Sequence, residues 1–143
     1  MSQEAVEIVR ASIATYNAEG LEASMAYLDP AVEWFTNAEA PDMGGFRGHE
    51  GIRKLAGILD EVLGEVRIEP DEFLDEGDHV VVVGRLCVTG TGSGAATESH
   101  RAWVYTLRDG KIIRHLTFTD RAEALGAVAA ASYPDRKAHR PTG

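Results

Sequence analysis

The 143-residue sequence has a single cysteine, Cys87, so no disulfide can form within one chain. No apolar run approaches the roughly 20 residues that a membrane-spanning helix needs. Clustered Lys and Arg, the footprint of a phosphate-binding surface, are also missing. The formal charge is −9 and the basic residues lie scattered among acids, so no nucleic-acid partner is expected. The one basic grouping, Arg136, Lys137, His139 and Arg140, shares its stretch with Pro134, Pro141 and Gly143 and reads as a flexible tail over 133–143. The five histidines show no metal-ligand spacing, and no metal is expected. GTGSG at 90–94 is glycine-rich but opens no helix, so it reads as a hairpin loop and not a phosphate cradle. No dinucleotide motif is present, and no cofactor is expected. MSQEAVEIVR lacks the basic start and apolar block of a signal peptide, which makes the cytoplasm the expected location.

What is present fits one globular domain over 1–132, with 44% hydrophobic and 26% charged residues. Val6, Val9, Ile13 and Tyr16 recur at spacings of three and four and predict a helix over 3–18. Leu21, Met25 and Leu28 predict a second, short helix, stopped at Asp29-Pro30. AVEWFT at 31–36 reads as a strand. Residues 37–48 hold a proline and three glycines without periodicity, which predicts a loop at a pocket rim. A third helix is expected over 49–63. Four strands follow, at 65–74, 79–90, 97–107 and 111–119, and then a helix over 121–131. Short glycine-bearing turns between successive strands predict an antiparallel meander. Helices set apart from such a sheet give the α+β class.

This order resembles the NTF2-like superfamily, and within it the SnoaL-like domains, kin of ketosteroid isomerase, polyketide cyclase and limonene epoxide hydrolase. The resemblance rests on YNAEGLEASMAYLDPAVEWF (16–35), FRGHEGIRKL (46–55), DEFLDEGDHVVVVGRL (71–86) and WVYTLRDGKIIRHLTFTDRAEAL (103–125). It implies a cone: a strongly bent antiparallel sheet wrapped by the N-terminal helices around a cavity. It also implies a homodimer through the opposite sheet face. A strand such as β-rich 79–90, apolar at both parities, needs a cover on each side and agrees with that.

Strand alternation puts Arg101, Trp103 and Tyr105 on one face, and His115, Thr117 and Thr119 on one face of the next strand. Such a face suits a polar pocket wall; a dimer surface or a solvated face is the competing reading. Asp120 is the candidate acid/base. A carboxylate at the mouth of an apolar cavity gains basicity by desolvation, and the resemblance puts an aspartate with acid/base work at the end of the last strand. Asp120 also starts D-x-x-E with Glu123, a helix N-cap with its capping-box partner, and the two roles are compatible. His115 is the second catalytic candidate and Arg101 the third, as an oxyanion or orienting group. Tyr16, Trp34 and Phe46, with Trp103, Tyr105, Thr117 and Thr119, are the expected ligand contacts; Met43 could close the cavity from the loop side.

The chain departs from its kin in telling places. The epoxide hydrolase pattern Arg-x-Asp is Arg101-x-Trp103 here. Ketosteroid isomerase has acids where Trp34 and Trp103 stand, and a tyrosine where Ser12 stands. The expectation is therefore a cofactor-free enzyme of SnoaL-like type (cyclase, isomerase or hydrolase) acting on an apolar, ring-bearing molecule. The alternative is a ligand-binding or dimerisation module of the same fold without catalysis.

Overall fold

A computed structural model describes residues 2–35, 45–90 and 96–138 of the chain. Helix α1 spans Ser2–Glu19, with Val9 and Ile13 fully or almost fully buried on the stripe that the spacing predicts. It ends at Gly20, whose N–H returns to the Tyr16 carbonyl at 2.8 Å. The predicted second helix is only a 3-10 turn, Ala23–Tyr27, and Leu28 already opens strand β1 (Leu28–Phe35). Pro30 is tolerated in this strand because it falls in the irregular stretch between Leu28 and Glu33, where ladder pairing is interrupted.

A short strand β2 (Gly45–Arg47) emerges from the end of the expected loop; the preceding part of that loop, with Met43, lies outside the described residues, as do 91–95 of the glycine-rich hairpin. Helix α2 covers Gly48–Ile58 and passes into a π-turn, Leu59–Leu63. Strands β3 (Glu65–Glu76), β4 (His79–Thr89), β5 (Ala96–Arg108) and β6 (Lys111–Phe118) follow, and helix α3 takes Arg121–Ala138, seven residues past its expected end. Asp109 and Gly110 both have positive φ (53° and 78°), the paired left-handed geometry of a two-residue hairpin turn.

The six strands form one sheet in the order β2-β1-β6-β5-β4-β3. The meander from β3 to β6 is antiparallel throughout, as the turns predict, whereas β1 lies parallel to β6. The sheet bends at a bulge in β3: Pro70 pairs with Gly84 and Glu72 with Val83, so Asp71 is the extra residue. Gly84 permits the bend, since a Cβ there would collide with the Glu69 carbonyl and lie 2.9 Å from the Pro70 Cα.

Curvature gives the sheet two unlike faces. The concave face carries Val80, Val82, Trp103 and Tyr105 and packs under α1 and α2. The outer face carries Val81, Ala102 and Val104, on which Ala124 and Val128 of α3 pack. Both parities of β4 are therefore covered, with Val80, Val81 and Val82 wholly buried. The double burial that the sequence attributes to a second copy is supplied here, in part, by the chain's own last helix.

Candidate functional site

Three neighbouring strands place three rings in a row. Trp34 of β1 pairs with His115 of β6, and His115 pairs in turn with Tyr105 of β5. Because paired residues project from the same face, the Trp34 and His115 rings stack at 3.7 Å with planes 6° apart. Tyr105 meets the imidazole edge-on at 4.9 Å. Trp103, two residues before Tyr105 and paired with Thr117, continues the wall.

These rings line a cavity of about 240 Å³ between the sheet and the two helices. Ser12, Ile13 and Tyr16 close it from α1, Leu55 and Leu59 from α2 and its π-turn. Among the described residues no Asp, Glu, Lys or Arg lines it. Two of its hydroxyls are already engaged: Ser24 donates to the Leu21 carbonyl at 2.7 Å, and Thr117 to the Phe35 carbonyl at 3.3 Å.

His115 is the exception. It is 2% exposed, and among the described residues neither Nδ1 nor Nε2 has a hydrogen-bond partner of good geometry. Burial pushes its pKa down to about 3, only partly opposed by the nearby Phe35 backbone, so the ring is neutral at physiological pH. A neutral imidazole has one N–H donor and one lone-pair acceptor, and a buried polar group left unmet costs on the order of 1–3 kcal/mol. Burial also raises the phenol pKa of Tyr105 well beyond its usual value, and that of Tyr16 to about 12, the latter aided by the charge of Asp60. Both phenols therefore remain protonated.

The structure divides the predicted site residues. Tyr16, Trp34, Trp103, Tyr105, His115 and Thr117 all line the cavity. Asp120 does not. Strand β6 ends at Phe118, and the chain then crosses to the outer face that α3 covers. Asp120 is exposed there, and its Oδ1 accepts the Glu123 N–H at 2.9 Å, which is the N-cap bond. Thr119 crosses with it, bonding Glu123 Oε1 through both its N–H and its hydroxyl. Arg101 is outside the lining as well; its guanidinium donates to the His100 carbonyl at 2.8 Å. Phe46 shares the Trp34 face but packs into the core beneath α2, with its Cβ 3.4 Å from where a Cβ on Gly51 would stand.

Ser12 and Leu59 line the cavity without being among the expected ligand contacts. Ser12 interrupts the apolar stripe of α1 one turn before Tyr16 and is buried at 4% exposure. Leu59 falls in the span expected for the third helix and lines the cavity from the first residue of the π-turn. Among the described residues no group of three or more His, Cys, Asp or Glu is placed to hold a metal ion. No described helix is long and apolar enough to cross a membrane.

Comparison with known structures finds this fold repeatedly. TerC, co-crystallized with polyporic acid, is 28% identical with a TM-score of 0.72, over 88% of this chain and 98% of that one. An NTF2-like protein from Burkholderia thailandensis is 30% identical with a TM-score of 0.69, over 87% of this chain and 95% of that one. A putative SnoaL-like polyketide cyclase from Jannaschia sp. is 24% identical with a TM-score of 0.69, over 90% and 91%. A comparison with curated proteins finds no match. The SnoaL-like domain family matches residues 9–115, from the buried face of α1 to the imidazole at the centre of the cavity, and the chain belongs to that family.

Proposed function

We propose that the protein binds a neutral, mostly apolar, ring-bearing small molecule in this cavity, and that His115 hydrogen-bonds an oxygen of that molecule. The observation that carries this reading is the buried imidazole with two unmet ring nitrogens, facing an uncharged aromatic cavity. Apolar walls with a few convergent polar groups are the general form of a small-molecule site. The co-crystallization of TerC with polyporic acid supports an organic ligand for a relative of this fold.

Catalysis of the SnoaL-like kind is the second reading, and one arrangement favours it. A neutral imidazole beside the protonated Tyr105 phenol offers two donors that could stabilise an oxyanion developing on a bound carbonyl. In that case His115 and Tyr105, and not Asp120 or Arg101, would carry the chemistry. Asp120 keeps its capping role in both readings.

Native mass spectrometry against a panel of neutral bicyclic and tricyclic phenols and ketones tests the proposal. Binding should fall at least tenfold in His115→Phe, which keeps ring volume but removes both nitrogens. Equal binding by the variant would overturn the role of His115. A ligand that leaves the protein with its mass or optical spectrum changed would decide for catalysis, and one recovered unaltered for binding alone. A homodimer belongs to the same proposal. The outer strip that α3 leaves open, around Arg85, Cys87 and His100, is where a second copy would fit.

A further inference from the structure

A second, polar cleft lies against the aromatic cavity. It is framed by the last turn of α1 and the residues that follow it (Tyr16 to Glu22), the π-turn after α2, and the start of β3. Four residues, Tyr16, Leu21, Leu59 and Val66, line both spaces, which therefore adjoin at this collar of side chains. The inner space is apolar and the outer one is not. Glu19, Glu22, Asp60 and Glu65 stand on the outer rim, all exposed. Its one lining cation, Arg67, is held by Glu69 at 2.9 Å. Glu22 lies 3.5 Å from Arg53, while Glu19, Asp60 and Glu65 form no ion pair among the described residues.

We propose that this cleft is the entrance to the cavity, with the Tyr16–Leu59 collar as its throat, and that its acidic rim discriminates against anionic ligands. The inference rests on the proposed cavity function and adds to it the route of entry and the rim that selects by charge. Three features converge. One collar residue, Leu59, opens a π-turn, a distortion that interrupts regular helix hydrogen bonding and recurs at functional sites. Gly20 and Gly64 flank the cleft on its two sides. Beyond the collar waits His115, buried and without a well-aligned partner among the described residues, so a ligand passing the throat reaches a polar group with bonds to offer.

Charge decides what passes. A carboxylate approaching the rim meets three carboxylates that form no ion pair among the described residues, and their repulsion acts over a Debye length of roughly 10 Å at 0.1 M salt. It would then enter a space with no Lys or Arg among its described lining residues, where desolvation adds a further penalty. A neutral hydroxyl or carbonyl compound meets neither barrier.

The test uses 2-naphthol and 2-naphthoate, matched in ring size and unlike in charge, with association rates read in stopped flow from the probes' own fluorescence. The mouth variant is Glu19→Lys with Asp60→Lys. Its charge-matched control is Glu76→Lys with Asp78→Lys, at the far end of β3. All four positions are exposed. At about 10 mM salt the mouth variant should accelerate 2-naphthoate association roughly tenfold over the control. It should leave 2-naphthol within about twofold, and the gain should shrink as salt rises toward about 0.5 M. Equal effects of the mouth and control variants on 2-naphthoate would overturn the entrance while leaving the cavity reading intact. Failure of both probes to bind the unaltered protein, together with failure of the neutral panel above, would overturn both.

Discussion

The folded environment of His115 strips water from both ring nitrogens, and the pKa falls from 6.5 to about 3. Between those values the unfolded chain holds a proton at this site that the folded chain does not. Stability from this residue is therefore fully present above about pH 6.5 and is lost as pH falls toward 3. The slope is at most about 1.4 kcal/mol per pH unit. Urea titrations at pH 7, 6 and 5 should show the native protein weakening more steeply than His115→Phe; parallel curves would contradict the buried neutral imidazole. Asp120 gives a contrasting prediction. Asp120→Ala should cost about 1 kcal/mol in the same assay by removing the cap on α3, Asp120→Asn much less, and neither should change ligand affinity. At this scale the sequence was legible where alternation holds. Trp103, Tyr105, His115 and Thr117 fall on one face because their strands run regularly through those positions. Alternation carries no information past Phe118, where the strand ends and Thr119 and Asp120 turn away with the chain.

At the scale of elements, the bend in β3 and β4 is what turns a flat meander into a container. The extra residue Asp71 and the bare backbone of Gly84 work as a pair. Gly84→Val should destabilise the protein by more than about 2 kcal/mol, since the backbone of Glu69 and Pro70 cannot withdraw as a side-chain tip could. Circular dichroism melting is the check, and an unchanged midpoint would mean that the bulge relaxes freely. The α1 helix is fastened to β3 by Asn17, whose side-chain amide donates to the Ile68 carbonyl at 2.7 Å and accepts the Ile68 N–H at 3.0 Å. β3 is a sheet edge, so Asn17 meets hydrogen-bonding groups that no strand pairs. The sequence announced the meander through its turns, because turn chemistry is local. The bulge, the parallel seating of β1 on β6 and the reduction of the second helix to a 3-10 turn are set by tertiary pairing. Short apolar runs such as Leu21, Met25 and Leu28 suit a helix and a turn into strand equally well.

For the whole molecule, the division of labour between the two sheet faces bears on association. α3 covers the strip of Val81, Ala102 and Val104, which lessens the apolar area that a second copy would need to hide. The open strip holds Arg85 bonded to Asp71 and Glu98 at 3.0 and 2.9 Å, a charged network that gives little association energy by itself. Sedimentation velocity near micromolar concentration checks the proposed homodimer, and a single monomer boundary would count against it. The fold class was legible because helix and strand periodicities are carried by nearly the whole chain. Which half of each face would be covered by the chain itself was not, because the packing of α3 depends on where the sheet has already turned.

The chain has two tryptophans, Trp34 and Trp103, and both line the same cavity. Its intrinsic emission is therefore a report from one place. Entry of a ligand or of water into that space alters the whole tryptophan signal, while fraying of a distant helix leaves it unchanged. An unfolding curve followed at 295 nm excitation and one followed by backbone dichroism need coincide only if the container and its scaffold come apart together.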